Sequence, residues 1–208
     1  MICFLVTPTR LWAAEDFPPE KLVTAVQAAY EKTQDLKMDF TQKTYVALLE
    51  QEVQKKGEAQ FKKPGKFRIE YQEKRGKLYL CDGKTLWIVR KEDDQVTKVD
   101  AGEENIPAEA LSFLGGFGNL KHDFAVETVD PKKAEQLKID GKKFQWLELT
   151  PLKKQSQIEW MVVGFDNSDY LARTIYLYSD SGNLTHYEFS NLRTNEGLTE
   201  DSFVYKKN

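Results

Sequence analysis

Residues 66–89 read KFRIEYQEKRGKLYLCDGKTLWIV, and their period decides the fold. In KFRIEYQ, Phe67, Ile69 and Tyr71 alternate with Lys66, Arg68, Glu70 and Gln72, which is the period-two pattern of a half-buried strand. The LYLCDGKTLWIV stretch is a hairpin with greasy arms. Asp82-Gly83 predicts a type I′ turn, because both residues tolerate positive φ. That turn sets Leu80 against Thr85, Tyr79 against Leu86 and Leu78 against Trp87. One face then carries Leu78, Leu80, Trp87 and Val89; the other carries Tyr79, Leu86 and Ile88, with Cys81 and Lys84 at its tip. Cys81 flanks a turn beside an aspartate, which does not favour a thiolate, so the tip is turn geometry rather than chemistry.

The same period runs outward from this hairpin. KFQWLEL, IEWMVVGF, TIYLYS and THYEFSNL continue it, separated by turns such as Asp140-Gly141 and SDSGN at 179–183. Many short strands and tight turns, with no helix after each strand, predict one large antiparallel sheet or an open barrel rather than a parallel α/β fold. Two segments depart from the pattern. FPPEKLVTAVQAAYEKTQDL (17–36) starts on paired prolines and places Leu22, Ala25, Val26, Ala29 and Tyr30 on one helical stripe. EENIPAEALSFLGGFGNLK (103–121) predicts a short helix opened by Pro107 and closed by Gly115-Gly116. Its Ile106, Ala110, Leu111, Phe113, Leu114 and Phe117 are too much apolar surface for so short a helix to leave in water, so it must cover something.

Composition narrows the function classes. The 208 residues suit one domain, and 40% apolar with 30% charged residues is an ordinary soluble composition. A net charge of −3, spread along the chain, argues against a concentrated nucleic-acid-binding face. MICFLVTPTRLWAAEDF begins apolar, reaches Ala13-Ala14 and then turns polar, which reads as an export signal over 1–14 followed by a single domain over 15–208. Without that signal Cys81 stands alone, so no disulfide framework is expected. Neither a metal-ligand spacing, a GxSxG elbow nor a phosphate loop occurs, and His122 and His186 are isolated, so no catalytic residue, metal or cofactor is expected. Strand aromatics are abundant instead. Two short helices are a scant roof for about ten strands, and an apolar cavity follows as an expectation.

Several phrases together resemble the LolA-like periplasmic carriers of outer-membrane lipoproteins. These are FTQ (40–42), GEAQFKKPGKFRIEY (57–71), CDGKTLWIV (81–89), the proline-led helix at 106–114, LELTP (147–151) and YSDSGNLTHYEFSNLRTNEGL (178–198). The resemblance implies an unclosed antiparallel β-barrel of about 10–11 strands with a helical lid over a hydrophobic cavity. It implies a periplasmic, non-enzymatic, monomeric carrier that takes acylated lipoproteins from an inner-membrane transporter to an outer-membrane receptor or membrane acceptor. On that basis the cavity lining is expected from Phe67, Ile69, Tyr71, Leu78, Leu80, Trp87, Val89, Phe144, Trp146 and Trp160. The lid is expected from Leu22, Val26, Ala29, Ile106, Ala110, Leu111, Phe113 and Leu114. Lys63, before Pro64, stands where the family usually has an arginine that hydrogen-bonds lid-helix backbone; it is the expected latch, without arginine's planar fork. FVYKKN (203–208) replaces a PP-x-G segment and further loop of members close to the well-studied carriers. The alternative is therefore a carrier or sensor of another apolar ligand, a glycolipid or free lipid.

Overall fold

A computed structural model describes residues 18–102, 120–153 and 157–206. The expected export signal and the lid residues Ile106, Ala110, Leu111, Phe113 and Leu114 lie outside the described residues. Helix α1 (Pro19–Lys32) leads into β1 (Asp35–Val46), β2 (Gln51–Lys62), β3 (Lys66–Tyr71), β4 (Lys77–Asp82), β5 (Thr85–Arg90) and β6 (Gln95–Asp100). After helix α2 (Leu120–Asp123) come β7 (Phe124–Glu127), helix α3 (Pro131–Gln136), β8 (Phe144–Pro151), β9 (Ile158–Asp166), β10 (Ala172–Ser179) and β11 (Leu184–Thr194). All eleven strands form one sheet in the order β6-β5-β4-β3-β2-β1-β11-β10-β9-β8-β7. Every neighbouring pair is antiparallel. The two meanders meet at β1–β11, and the edge strands β6 and β7 do not pair with each other, so the barrel is unclosed.

The hairpin over residues 78–89 turns one residue later than Asp82-Gly83 predicts. Cys81 pairs with Leu86, Leu80 with Trp87, Tyr79 with Ile88 and Leu78 with Val89. The loop is Gly83-Lys84, with Gly83 at φ +91°, the positive φ that a type II′ turn puts at its first position. Asp82 stays at the strand end because its Oδ1 accepts from the backbone N–H of Lys84 (2.9 Å) and Thr85 (2.7 Å). A side chain that caps the turn outweighs its tolerance for positive φ.

Register separates the two faces. β3 sets Phe67 beside Cys81 and Ile69 beside Tyr79, so the concave face continues from Phe67, Ile69 and Tyr71 into Tyr79, Cys81, Leu86 and Ile88. On the other half it carries Leu147, Leu149, Met161, Val163, Phe165, Ile175, Leu177, Tyr187 and Phe189, all in the same core. The seam is aromatic: Phe40 meets Tyr71 and Tyr187 edge-on. Phe40 reaches its place only because Gly57 lies beneath it; a Cβ there would stand 2.4 Å from the Phe40 ring and 2.4 Å from the Glu70 carbonyl oxygen. Gly57→Ala is expected to lower stability by about 1–3 kcal/mol, the cost of overpacking a filled core, measurable by denaturant unfolding.

The convex face is also covered, and seven of the expected lining residues lie on it. Leu78, Leu80, Trp87 and Val89 all point to this outer side. The C-terminal 3-10 turn Glu200–Phe203 packs on β3 and β4 there, with Phe203 fully buried. Lys62 Nζ donates to the Leu198 carbonyl (2.5 Å), and Lys62 and Lys66 both pair with Glu200. The segment is pinned by Asp35, a buried carboxylate that accepts from the backbone N–H of Glu196 (2.8 Å), Gly197 (2.9 Å) and Leu198 (3.1 Å).

Phe144, Trp146 and Trp160 are convex as well. α3, N-capped by Asp130, and the loop after it cover them: Lys133 sits 4.2 Å over the Trp160 ring, and the Asp140 carbonyl accepts from Trp146 Nε1. Strand alternation shows that both faces are apolar but not which one looks inward. The distant segments that decide it, 130–140 and 196–203, carry weak patterns of their own.

Candidate apolar-ligand site

The concave face is the candidate site, and α1 packs on it. Prolines open the helix, Glu20 sits at its positive end and Lys32 at its negative end, so local propensity and dipole agree. Its stripe of Leu22, Val23, Val26 and Tyr30 is buried in the same core as the concave strands, and Ala29 packs against that core. The described lid expectations Leu22, Val26 and Ala29 therefore lie on the helix face turned to the sheet. Tyr30 is held by the backbone N–H of Ala172, which donates to its hydroxyl (3.2 Å), and burial raises its pKa above the ordinary phenol value.

Lys63 meets the other end of this helix. Its ammonium donates to the carbonyls of Tyr30 (2.6 Å) and Glu31 (3.0 Å), in the last turn of α1. A helix C-terminus leaves carbonyls without intrahelical partners and carries partial negative charge, so a cation there satisfies both needs. Asn195, which sequence reasoning passed over, clamps the chain just beyond: its Oδ1 accepts from Gln34 N–H (2.7 Å) and its Nδ2 reaches the Lys32 carbonyl. Two groups distant in sequence thus fasten one helix end.

At the start of α1, Pro19, Glu20, Val23, Lys121, Phe124 and Val126 line a pocket of about 200 Å³. One hydrogen-bonded polar knot lies on the concave face near the β1–β2 turn. Tyr71 O–H donates to Gln42 Oε1 (2.8 Å), Gln42 Nε2 donates to Thr44 Oγ1 (3.1 Å), and Thr44 meets Thr185 at 3.0 Å. The polar groups of this knot bond one another, so the surface they leave to a ligand is largely apolar. Cys81 fits that setting: it is buried, and burial pushes its thiol pKa up.

Of the ten expected lining residues, Phe67, Ile69 and Tyr71 are concave and seven are convex. The concave face also carries Tyr79, Leu86, Ile88, Leu147, Val163 and Phe165, which the expected lining did not include. One signal could have found the first three: strict alternation from Ile69 through a correct pairing with Tyr79. His186 stands outside the site, stacked on Tyr176 on the convex face at 4.2 Å, its pKa lowered by burial. Among the described residues no cluster of three His, Cys, Asp or Glu side chains forms a metal-binding group.

An unclosed antiparallel half-barrel whose apolar concave face is crossed by a fastened helix is a fold for holding apolar groups. Residues 31–206 match the family described as "Outer membrane lipoprotein carrier protein LolA", and the chain belongs to that family. It is 32% identical over 203 residues to an "Outer-membrane lipoprotein carrier protein" of Cupriavidus pinatubonensis, covering 95% of this chain and 85% of the relative. A protein of the same name from Nitrosospira multiformis is 29% identical over 151 residues, covering 72% of this chain and 67% of the relative. An uncharacterized conserved protein from Thermus thermophilus shares the fold with a TM-score of 0.52 at 10% identity, covering 90% of this chain and 94% of that one.

Proposed function

We propose that this chain is a periplasmic carrier that shelters the acyl chains of outer-membrane lipoproteins on its concave face, making and breaking no covalent bond. It accepts them from an inner-membrane lipoprotein-releasing transporter and passes them to an outer-membrane receptor. The observation that carries this reading is the concave face itself: apolar from Leu86 through Phe67, Phe40 and Ile175 to Leu149, and crossed by a helix whose end Lys63 fastens. Such a face gains about 0.8 kcal/mol for each acyl CH₂ it removes from water. Burial on that scale is strong enough to hold a chain, and a helix held at one end by hydrogen bonds can be displaced to release it.

Delipidated protein is expected to take up a fluorescent diacylglycerol probe saturably, with a soluble headgroup analogue giving no signal. Natively folded, delipidated protein that takes up no acyl probe would overturn the reading. Should a glycolipid or free lipid displace the probe far better than an acylated lipoprotein does, the alternative ligand class holds instead.

A further inference from the structure

Six of the seven exposed large apolar residues among those described lie at one end of the sheet. Tyr45, Leu48, Leu49 and Val53 belong to the β1–β2 hairpin, whose arms pair to its very end at Val46 and Gln51. Leu152 follows the end of β8 and Val96 lies at the start of β6, both at the same end by register. Leu48 is 90% exposed and Leu49 59% exposed. They sit in a 3-10 turn (Ala47–Leu49) closed by Glu50 at φ 49°. The turn is held by the neighbouring β10–β11 turn, where Asn183 Oδ1 accepts from the Ala47 N–H (3.0 Å). These leucines are therefore presented on an anchored point rather than on a floppy loop.

We infer that the β1–β2 tip is a shallow bilayer-docking point, with Leu48 and Leu49 entering the lipid surface. A stable protein partner needs a broad complementary patch of roughly 800 Å² on each side. Two leucines followed directly by Glu50, Gln51 and Glu52 do not provide one. A lipid surface accepts a narrow wedge. Tyr45 stands just behind the leucines on the same hairpin, an amphipathic ring of the kind that sits among headgroups. The pocket beneath the start of α1 opens at the same end, because its Phe124 pairs with Pro151 next to Leu152. Resting on the carrier reading for its purpose, the docking point brings the mouth of the concave face to a membrane, so that an acyl chain leaves into lipid without crossing water.

The test uses the full chain and vesicles of phosphatidylethanolamine and phosphatidylglycerol. Wild-type protein is expected to float with the vesicles and to deliver a bound diacyl probe at a rate that rises with vesicle concentration. Leu48→Ser/Leu49→Ser is expected to keep its unfolding midpoint and its probe uptake, yet lose flotation and delivery by about tenfold or more, the loss expected when burial of at least one leucine is removed. Equal delivery by wild type and variant overturns the inference, as does wild-type protein that never floats. A difference that emerges only when an acceptor protein is added also overturns it, assigning the tip to a protein partner. Failure of probe uptake in the wild type is a separate result and strikes the carrier reading instead.

Discussion

Asp35→Ala is expected to lower stability by about 3 kcal/mol, within the range for hydrogen bonds to a charged acceptor. The carboxylate is buried and accepts three successive backbone N–H groups, from Glu196, Gly197 and Leu198. Once it is lost, the strap is left to Lys62, Lys66 and Phe203, and it no longer seals the convex side of β3 and β4. Asp35→Asn keeps the shape and one acceptor oxygen, so it is expected to lose less. Denaturant unfolding of both variants measures the difference, and equal losses would show that the side chain's volume, not its hydrogen bonding, matters.

Lys63→Met is expected to speed escape of a bound acyl probe by about twofold to fivefold, since a solvent-exposed cation at a helix C-terminus contributes roughly 0.3–1 kcal/mol and each 1.4 kcal/mol is a factor of ten. Methionine keeps the apolar stem but leaves the Tyr30 and Glu31 carbonyls to water. Helix α1 stays docked through Leu22, Val23, Val26 and Tyr30, so the unfolding midpoint should move far less than the escape rate. Lys63→Arg should restore slow escape, because a guanidinium reaches the same carbonyls with a planar fork. Stopped-flow transfer of the probe to acceptor vesicles reads the rate. An unchanged rate in Lys63→Met would make Lys63 a helix cap with no part in holding cargo.

The strands were legible in the sequence because period-two alternation is a local property. Phe67, Ile69 and Tyr71 alternate with charges, and the structure places them on one buried face as that pattern requires. α1 was legible for the same reason, through proline, a stripe and a dipole. Which face of the sheet packs against α1 was not legible, because Leu80 and Trp146 are apolar for a different purpose. They lie under segments more than thirty positions away or under the loop after a short helix, and alternation carries no information about distant cover. The misplaced turn at Asp82 illustrates a smaller version of the same limit. Its aspartate caps two backbone N–H groups, and only the three-dimensional turn reveals that preference over a loop position. Lys63 was singled out only through the family resemblance, which implies a basic residue before Pro64, whereas Asp35 and Asn195, which join the start of β1 to the segment after β11, left no local mark.

The most direct test of the carrier account is native mass spectrometry of the chain exported into a periplasm and purified without detergent. The account predicts a population heavier than the bare chain by the mass of acylated cargo, returning to the bare mass when Ile69→Glu or a competing diacyl lipid denies the concave face to that cargo. Folded protein at the bare mass alone, under conditions where acylated lipoproteins are being made, would contradict it.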